Sequence, residues 1–364
     1  MPLLQPIHKK LNWSSKTLDQ DFQQRLLGQQ NRTAKTAMTR LFQKFRRSLI
    51  IRTGAAIALT LLLSFWFHPA QADPFRTANA HAIGSKTEAA FKTLFEQGNY
   101  QQAEQMLQSA EPDEPLAHAM QSALAYVSQD WEKMGENARL TRETAEKLVS
   151  TDALRGHLYV AAGQFLEGAY TLSTQGTVAA TPTILAKLQQ VFDNISQAEK
   201  IDPQDPELNL MKGFMDLMLA VNLPFANPDQ AIERLASNAA PVYLAQRGIA
   251  IGYRDLDQPD KAFAAVEEAI KTTPGSNNPE LFYLKAQILR QKGDKLQGDE
   301  QAKTRQDSVR FFRKAWALRD RFPESLVRQL SREGCRTFQQ SRNRNPDACS
   351  SGSVNWQGNQ QRQG

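Results

Sequence analysis

The stretch YLAQRGIAIGYRDLDQPDKAFAAVEEAIKTTPGS, residues 243–276, decides how the chain is read. Its apolar residues recur at intervals of three and four, the period of a helix that buries one face. Tyr253, Ala262, Val266, Ala269 and Pro274 each have a physical role in a pair of helices. Tyr253 is expected to fill the space between the two helices. Ala262 and Ala269 are small where those helices, or the next pair, approach closely. Pro274 stops the second helix.

The same spacings recur on both sides. Gly98-Asn99-Tyr100-Gln101-Gln102-Ala103, followed by Leu107 and Ala110, reads as a turn and a second helix. Gln129-Asp130-Trp131 repeats that turn, with Trp131 in the aromatic slot. Gly156-His157-Leu158-Tyr159 leads into Gly163-Gln164-Phe165, which reads as another turn. Val191, Ile195, Ala198 and Pro203 read as a second helix and its stop, with valine in an alanine slot. Gly213 opens the next unit, and Ala231 and Leu235 close it after an insertion around Pro224-Phe225. Leu289 and Gly293-Asp294 begin the last, which ends at Phe312 and Ala315-Trp316. Alternating runs of β-branched residues are absent from Glu88 onward.

Taken together these units resemble the tetratricopeptide repeat (TPR) superfamily over 84–322, in five to seven degenerate copies. The pattern departs in places. Met134 and Gly168 occupy alanine slots, and 167–190, with Thr181-Pro182, does not close a regular repeat. The resemblance implies an all-α fold, a right-handed superhelical solenoid of antiparallel helix pairs. No pair buries its apolar face alone; stacking does.

In that superfamily the first helix of each pair lines a concave groove that takes extended peptides or helices. Carried over unit by unit, the groove slots are Leu210, Phe214 and Leu217, then Arg247, Ile251 and Arg254, then Glu280, Tyr283, Gln287 and Arg290. An apolar middle followed by an arginine-bearing wall implies a protein or peptide client with an apolar side chain near an acidic one. The plainer alternative is that Leu210, Phe214 and Leu217 pack between repeats and that Arg247 and Arg254 are solvated.

The leader carries its own signal. Lys44-Phe45-Arg46-Arg47 and Arg52 precede fifteen uncharged residues, Thr53 to Phe67, and then Pro69-Ala70-Gln71-Ala72. A basic flank, an apolar core and an A-x-A triplet are the architecture of a secretory signal, with cleavage after Ala72. As a helix the core 53–67 extends about 22 Å, short of the roughly 30 Å of a bilayer core. A cleaved signal is therefore expected in preference to an inner-membrane anchor. The long basic stretch before the core is explained if Met38, and not Met1, is the start; a cytoplasmic extension on an uncleaved anchor is the alternative. Export implies periplasm or thylakoid lumen.

Charge is unevenly spread. Residues 1–72 hold eleven Lys/Arg against Asp19 and Asp21, and 305–364 hold twelve against five acids, so the net +6 hides a body, 73–304, of −10. An acidic body disfavours nucleic acid. The basic tail reads either as a solvated tail or as a contact for an acidic partner or a membrane surface.

The two cysteines, Cys335 and Cys349, would close a short loop near the C-terminus if export allows a bridge. Residues 323–364 read as a helix remnant and a low-complexity tail, disordered from 339 onward.

No HExxH, GxSxG, P-loop or GxGxxG motif appears. His81, His118 and His157 are scattered, and no metal-ligand spacing is present. The sequence therefore predicts no catalytic residue, no metal and no cofactor. The leading expectation is an exported scaffold that binds a protein segment in its groove. A membrane-tethered structural or self-associating envelope protein is the rival, and an enzyme subunit the third reading.

Overall fold

The computed structural model describes residues 73–222, 227–275, 277–351 and 354–357. The leader, its apolar core 53–67, the scissile position after Ala72 and the insertion at Pro224-Phe225 fall outside the described residues on one or both sides. Among the described residues there are twelve α-helices and no β-strand, so the chain is all-α.

The helices are α1 (Ser85–Phe95), α2 (Tyr100–Leu107), α3 (Pro115–Ser128), α4 (Trp131–Leu148), α5 (Ala153–Ile201) and α6 (Pro206–Asn222). They continue as α7 (Pro228–Ser237), α8 (Val242–Asp255), α9 (Pro259–Thr272), α10 (Pro279–Asp294), α11 (Gly298–Ala317) and α12 (Glu324–Gln340). Local chemistry sets where they start. Five open with proline in their first turn, where the missing N–H costs nothing: Pro115, Pro206, Pro228, Pro259 and Pro279. Glu114, Asp205, Asn227 and Asn278, each just before such a proline, accept from first-turn amides. Asn99, Asp130 and Asp152 cap α2, α4 and α5 in the same way.

Consecutive helices pack in pairs: α1 on α2, α3 on α4, α6 on α7, α8 on α9 and α10 on α11. The unit 243–276 forms one such pair. Ala262, Val266 and Ala269 on α9 are fully buried, and α9 ends at Thr272, before Pro274.

Helix α5 is itself a pair. Its backbone leaves helical geometry at Gly176, with φ 74° and ψ 168°. His157 faces Asn194 at 3.1 Å, and Lys187 pairs with Glu167 at 2.5 Å. Both contacts are centred near Gly176, so arms 153–175 and 177–201 run antiparallel. Leu158 and Ala161 of the first pack on Val191, Ile195 and Ala198 of the second. The expected turn at Gly163-Gln164-Phe165 is instead continuous helix. Gly163 serves a close crossing: a Cβ there would lie 2.6 Å from the Arg142 amide nitrogen of α4.

The first described helices meet elements late in the chain. Tyr100 of α2 packs edge-on against Phe322, with centroids 5.8 Å apart. Asn278 donates to the carbonyls of Phe95 and Glu96 at the end of α1. Arg321 reaches the carbonyl of Gln97, and Ser325 of α12 that of Val127 at the end of α3. Hairpin α1–α2 is therefore held by elements from the C-terminal third of the chain.

The segment expected to be a disordered tail is ordered over part of its length. Helix α12 runs to Gln340, and Cys335 and Cys349 form a disulfide. Beyond it Trp356 is 1% exposed, packed on Trp316 at 5.4 Å and over Gly334. One aromatic side chain anchors a stretch whose composition is otherwise polar.

Candidate functional site

The residues expected to line a groove are engaged by the chain itself. Leu210, Phe214 and Leu217 are buried in a core that also holds Phe91 and Leu94 of α1 and Tyr100 of α2. Arg247 is 3% exposed and paired with Glu280, next to Tyr100. Arg254 pairs with Asp255 at 2.8 Å and donates to Gln287 at 2.7 Å. Gln287 in turn donates to Glu333 at 2.9 Å, and Arg290 lies 3.9 Å from the same carboxylate. Tyr283 is buried against Phe312; burial, reinforced by the Glu333 charge, pushes its hydroxyl far above its ordinary range. The structure thus places Leu210, Phe214, Leu217 and Tyr283 in one core and ties Arg254, Gln287 and Arg290 to polar partners of the same chain. It also supplies the arginines with acids from α8, α10 and α12.

A second constellation is a buried ion network at the N-terminal ends of α3, α5 and α6. Arg76, on the irregular segment before α1, bonds Asp73 at 3.0 Å, Asp205 at 2.7 Å and Glu207 at 3.0 Å. Arg155 of α5 bonds Glu114 at 2.7 Å and Glu207 at 3.2 Å, and its side chain is fully buried. Tyr159 donates to Glu207 at 2.5 Å. Burial works against the Arg155 charge, but Glu207 and then Glu114 outweigh it, so its pKa stands well above the usual arginine value. Beside the network, His81 bonds Asp152, the cap of α5. Every carboxylate here has a donor. The arrangement holds residues 73–83 across three helix ends, and it offers no open site for a substrate.

One apolar surface feature lies on α5 and α6, apart from the wider, more polar hollow lined by Tyr100, Gln101, Glu104, Gln108 and Ser128. An apolar cleft, narrow enough to leave about 10 Å³ for water, is lined by Phe165, Leu188, Val191, Phe192, Ile195, Met215 and Leu219, with Lys212 and Asp216 at its rim. Lys212 and Asp216 pair with one another at 3.0 Å. Along the second arm, Val178 is 91% exposed, Leu185 56% and Phe192 47%. These three stand seven residues apart. Leu188 and Ile195, three residues beyond the latter two, line the cleft. Apolar side chains seven residues apart offer a row along which a second helix can pack, while Ile195 is already buried against Leu158 of the first arm. The stripe lies in the unit 167–190 and just beyond it, where the helix-pair spacing fails, so only its seven-residue interval marks it in the sequence.

Among the described residues no group of three or more His, Cys, Asp or Glu could hold a metal ion, and no helix is long and apolar enough to cross a membrane. No known protein family, curated protein or solved structure matches the chain.

Proposed function

We propose that the protein is an exported scaffold built of TPR-type helix pairs in superhelical succession, and that it binds a helical segment of another protein along the second arm of α5. The observation that carries the reading is the exposed heptad stripe Val178, Leu185 and Phe192 beside the cleft at Leu188 and Ile195. An apolar stripe this exposed costs free energy in water at about 25 cal/mol per Å², and burying it against a partner recovers that. The heptad spacing specifies the occupant as an amphipathic helix with apolar residues at matching a and d positions.

The leader supports export to a periplasm or thylakoid lumen, with inner-membrane anchoring through 53–67 as the rival. Of the ten groove slots, Leu210, Phe214, Leu217 and Arg247 bind a client on this reading only if hairpin α1–α2 is displaced, and Gln287 and Arg290 only if they part from Glu333 of α12. Self-association through the same stripe is the second reading, since two copies of the arm would present matching heptads.

A photo-crosslinking residue in place of Leu185, expressed in native cells, tests both. Crosslinking to a heterologous amphipathic helix, mapped by mass spectrometry and abolished by Phe192→Asp, supports the scaffold. Crosslinking of the chain to itself supports self-association. No crosslink, in protein that melts normally, removes the arm as a docking surface.

A further inference from the structure

We propose that cleavage of the Ala72–Asp73 bond completes the buried ion network, by placing the new α-ammonium group of Asp73 beside it as a third cation. The proposal rests on the export reading for the cleavage itself, and on the structure for its consequence.

The network is unbalanced as it stands. Asp73, Glu114, Asp205 and Glu207 are carboxylates, and Arg76 and Arg155 are the guanidiniums that face them. Four acids against two bases leave an excess of two negative charges. The helix starts at Glu114 and Asp205 offset part of it through their amides. His81 is committed to Asp152, outside the set.

Asp73 is the residue where a cation would matter. Its side chain is fully buried and accepts from the Phe75 and Arg76 amides through Oδ1. Through Oδ2 it accepts from Arg76 Nη1 and the His81 amide. Its own nitrogen sits on the same Cα. Hydrolysis adds hydroxyl to the Ala72 carbonyl and hydrogen to that nitrogen, which takes up a further proton near neutral pH. A neutral amide thereby becomes a charge within covalent reach of a buried carboxylate, where opposite charges interact more strongly than in water.

The same structure discriminates between scissile bonds. A second small-x-small triplet, Ala78-Asn79-Ala80, lies eight residues further on. Cleavage after Ala80 would remove Arg76 from Asp205 and Glu207, and Phe75 from its edge-on contact with Phe91 at 5.0 Å.

Four chains decide the matter: 73–364, 70–364, and each with Asp205→Asn, which keeps a helix cap while removing one charge. The expected result is a Tm for 73–364 higher than for 70–364 by about 2–4 °C, a gap that narrows in the Asp205→Asn pair. Sequencing of the native protein is expected to read Asp-Pro-Phe-Arg. Equal Tm values for 73–364 and 70–364, or a gap unchanged by Asp205→Asn, overturn the proposal while export stands. A native chain cleaved after Ala80 overturns it as well. A native chain that retains its leader sinks the export reading, and the processing step with it.

Discussion

Arg76 donates through Nη2 to the Glu207 carboxylate at 3.0 Å across 131 positions of sequence, and both side chains are buried. This contact fastens the segment before α1 to the start of α6. A charge left alone in such a place costs far more than the pair contributes. Arg76→Met is therefore expected to lower stability by about 3–5 kcal/mol, measured by urea denaturation of 73–364. Adding Asp205→Asn and Glu207→Gln to the same chain should recover part of the loss, because it removes the stranded charges. If the triple variant is no more stable than Arg76→Met, packing of the arginine stem and not its charge holds the segment.

Gly176 carries the second arm of α5 through a backbone conformation, φ 74° and ψ 168°, that is almost confined to glycine. A Cβ added there meets nothing within 4 Å. The cost of Gly176→Ala is thus backbone strain alone, about 1–3 kcal/mol. Gly163→Ala makes the contrast: there the helix is regular and the obstacle is the Arg142 backbone at 2.6 Å. Limited proteolysis should separate them. Gly176→Ala is expected to speed cutting within 177–201, where the arm loosens, and Gly163→Ala to loosen α4 against α5. Equal cutting of both variants would mean that the arm is not held by its turn.

These two glycines also mark what was legible in the sequence. Buried alanines at 262 and 269, the turns at Gly98-Asn99 and Gln129-Asp130 and the stop near Pro274 are local features, and each takes its expected place. Gly163 and Gly176 look alike in a helical stretch, and only the neighbouring helix distinguishes a close crossing from a turn. The position of hairpin α1–α2 was not legible either. Its contacts, such as Asn278 to the Phe95 carbonyl across 183 positions, leave no period for a repeat pattern to catch. The same holds for Arg155, whose partners Glu114 and Glu207 lie 41 and 52 positions away. For the groove slots, spacing could not say that Glu280, Glu333 and hairpin α1–α2 engage them.

Helix α1 lacks a side-chain cap of its own, and Glu111 supplies one from beyond α2. Its carboxylate accepts from the Lys86 and Thr87 amides and from the Thr87 hydroxyl at 2.6 Å. Partial burial pushes the Glu111 pKa up, but the Thr87 hydroxyl and the two amides outweigh it, and the net shift is downward. A carboxylate with a depressed folded pKa stabilises above its unfolded value, near 4.3, and the stabilisation is lost as pH falls through the folded pKa. Glu111→Gln should therefore cost about 1 kcal/mol at pH 7 and progressively less below pH 4. A cost that is constant from pH 7 to pH 3 would show that the shape of the side chain, not its charge, caps α1.

The C-terminal anchor rests on one bond and one ring. Cys335 on α12 is joined to Cys349, and seven residues later Trp356 lies over Gly334 with its carbonyl accepting from Arg313 at 2.8 Å. Beyond Gln340 the stretch is polar, so little else holds it in place. A bridge closing a loop of this length restricts the unfolded chain by about 3 kcal/mol in the chain-entropy account. Reduction should release Trp356 into water, read as a red shift of tryptophan fluorescence that Trp356→Phe removes. Helical circular dichroism should change little, because the paired helices do not depend on the tail. Gly334→Ala should give the same shift with the bridge intact, since a Cβ there would meet the indole at 2.5 Å. If reduction leaves the fluorescence unchanged, the Trp316–Trp356 contact alone suffices. If both treatments release the ring, the anchor needs the bridge and the bare Gly334 surface beneath the indole together.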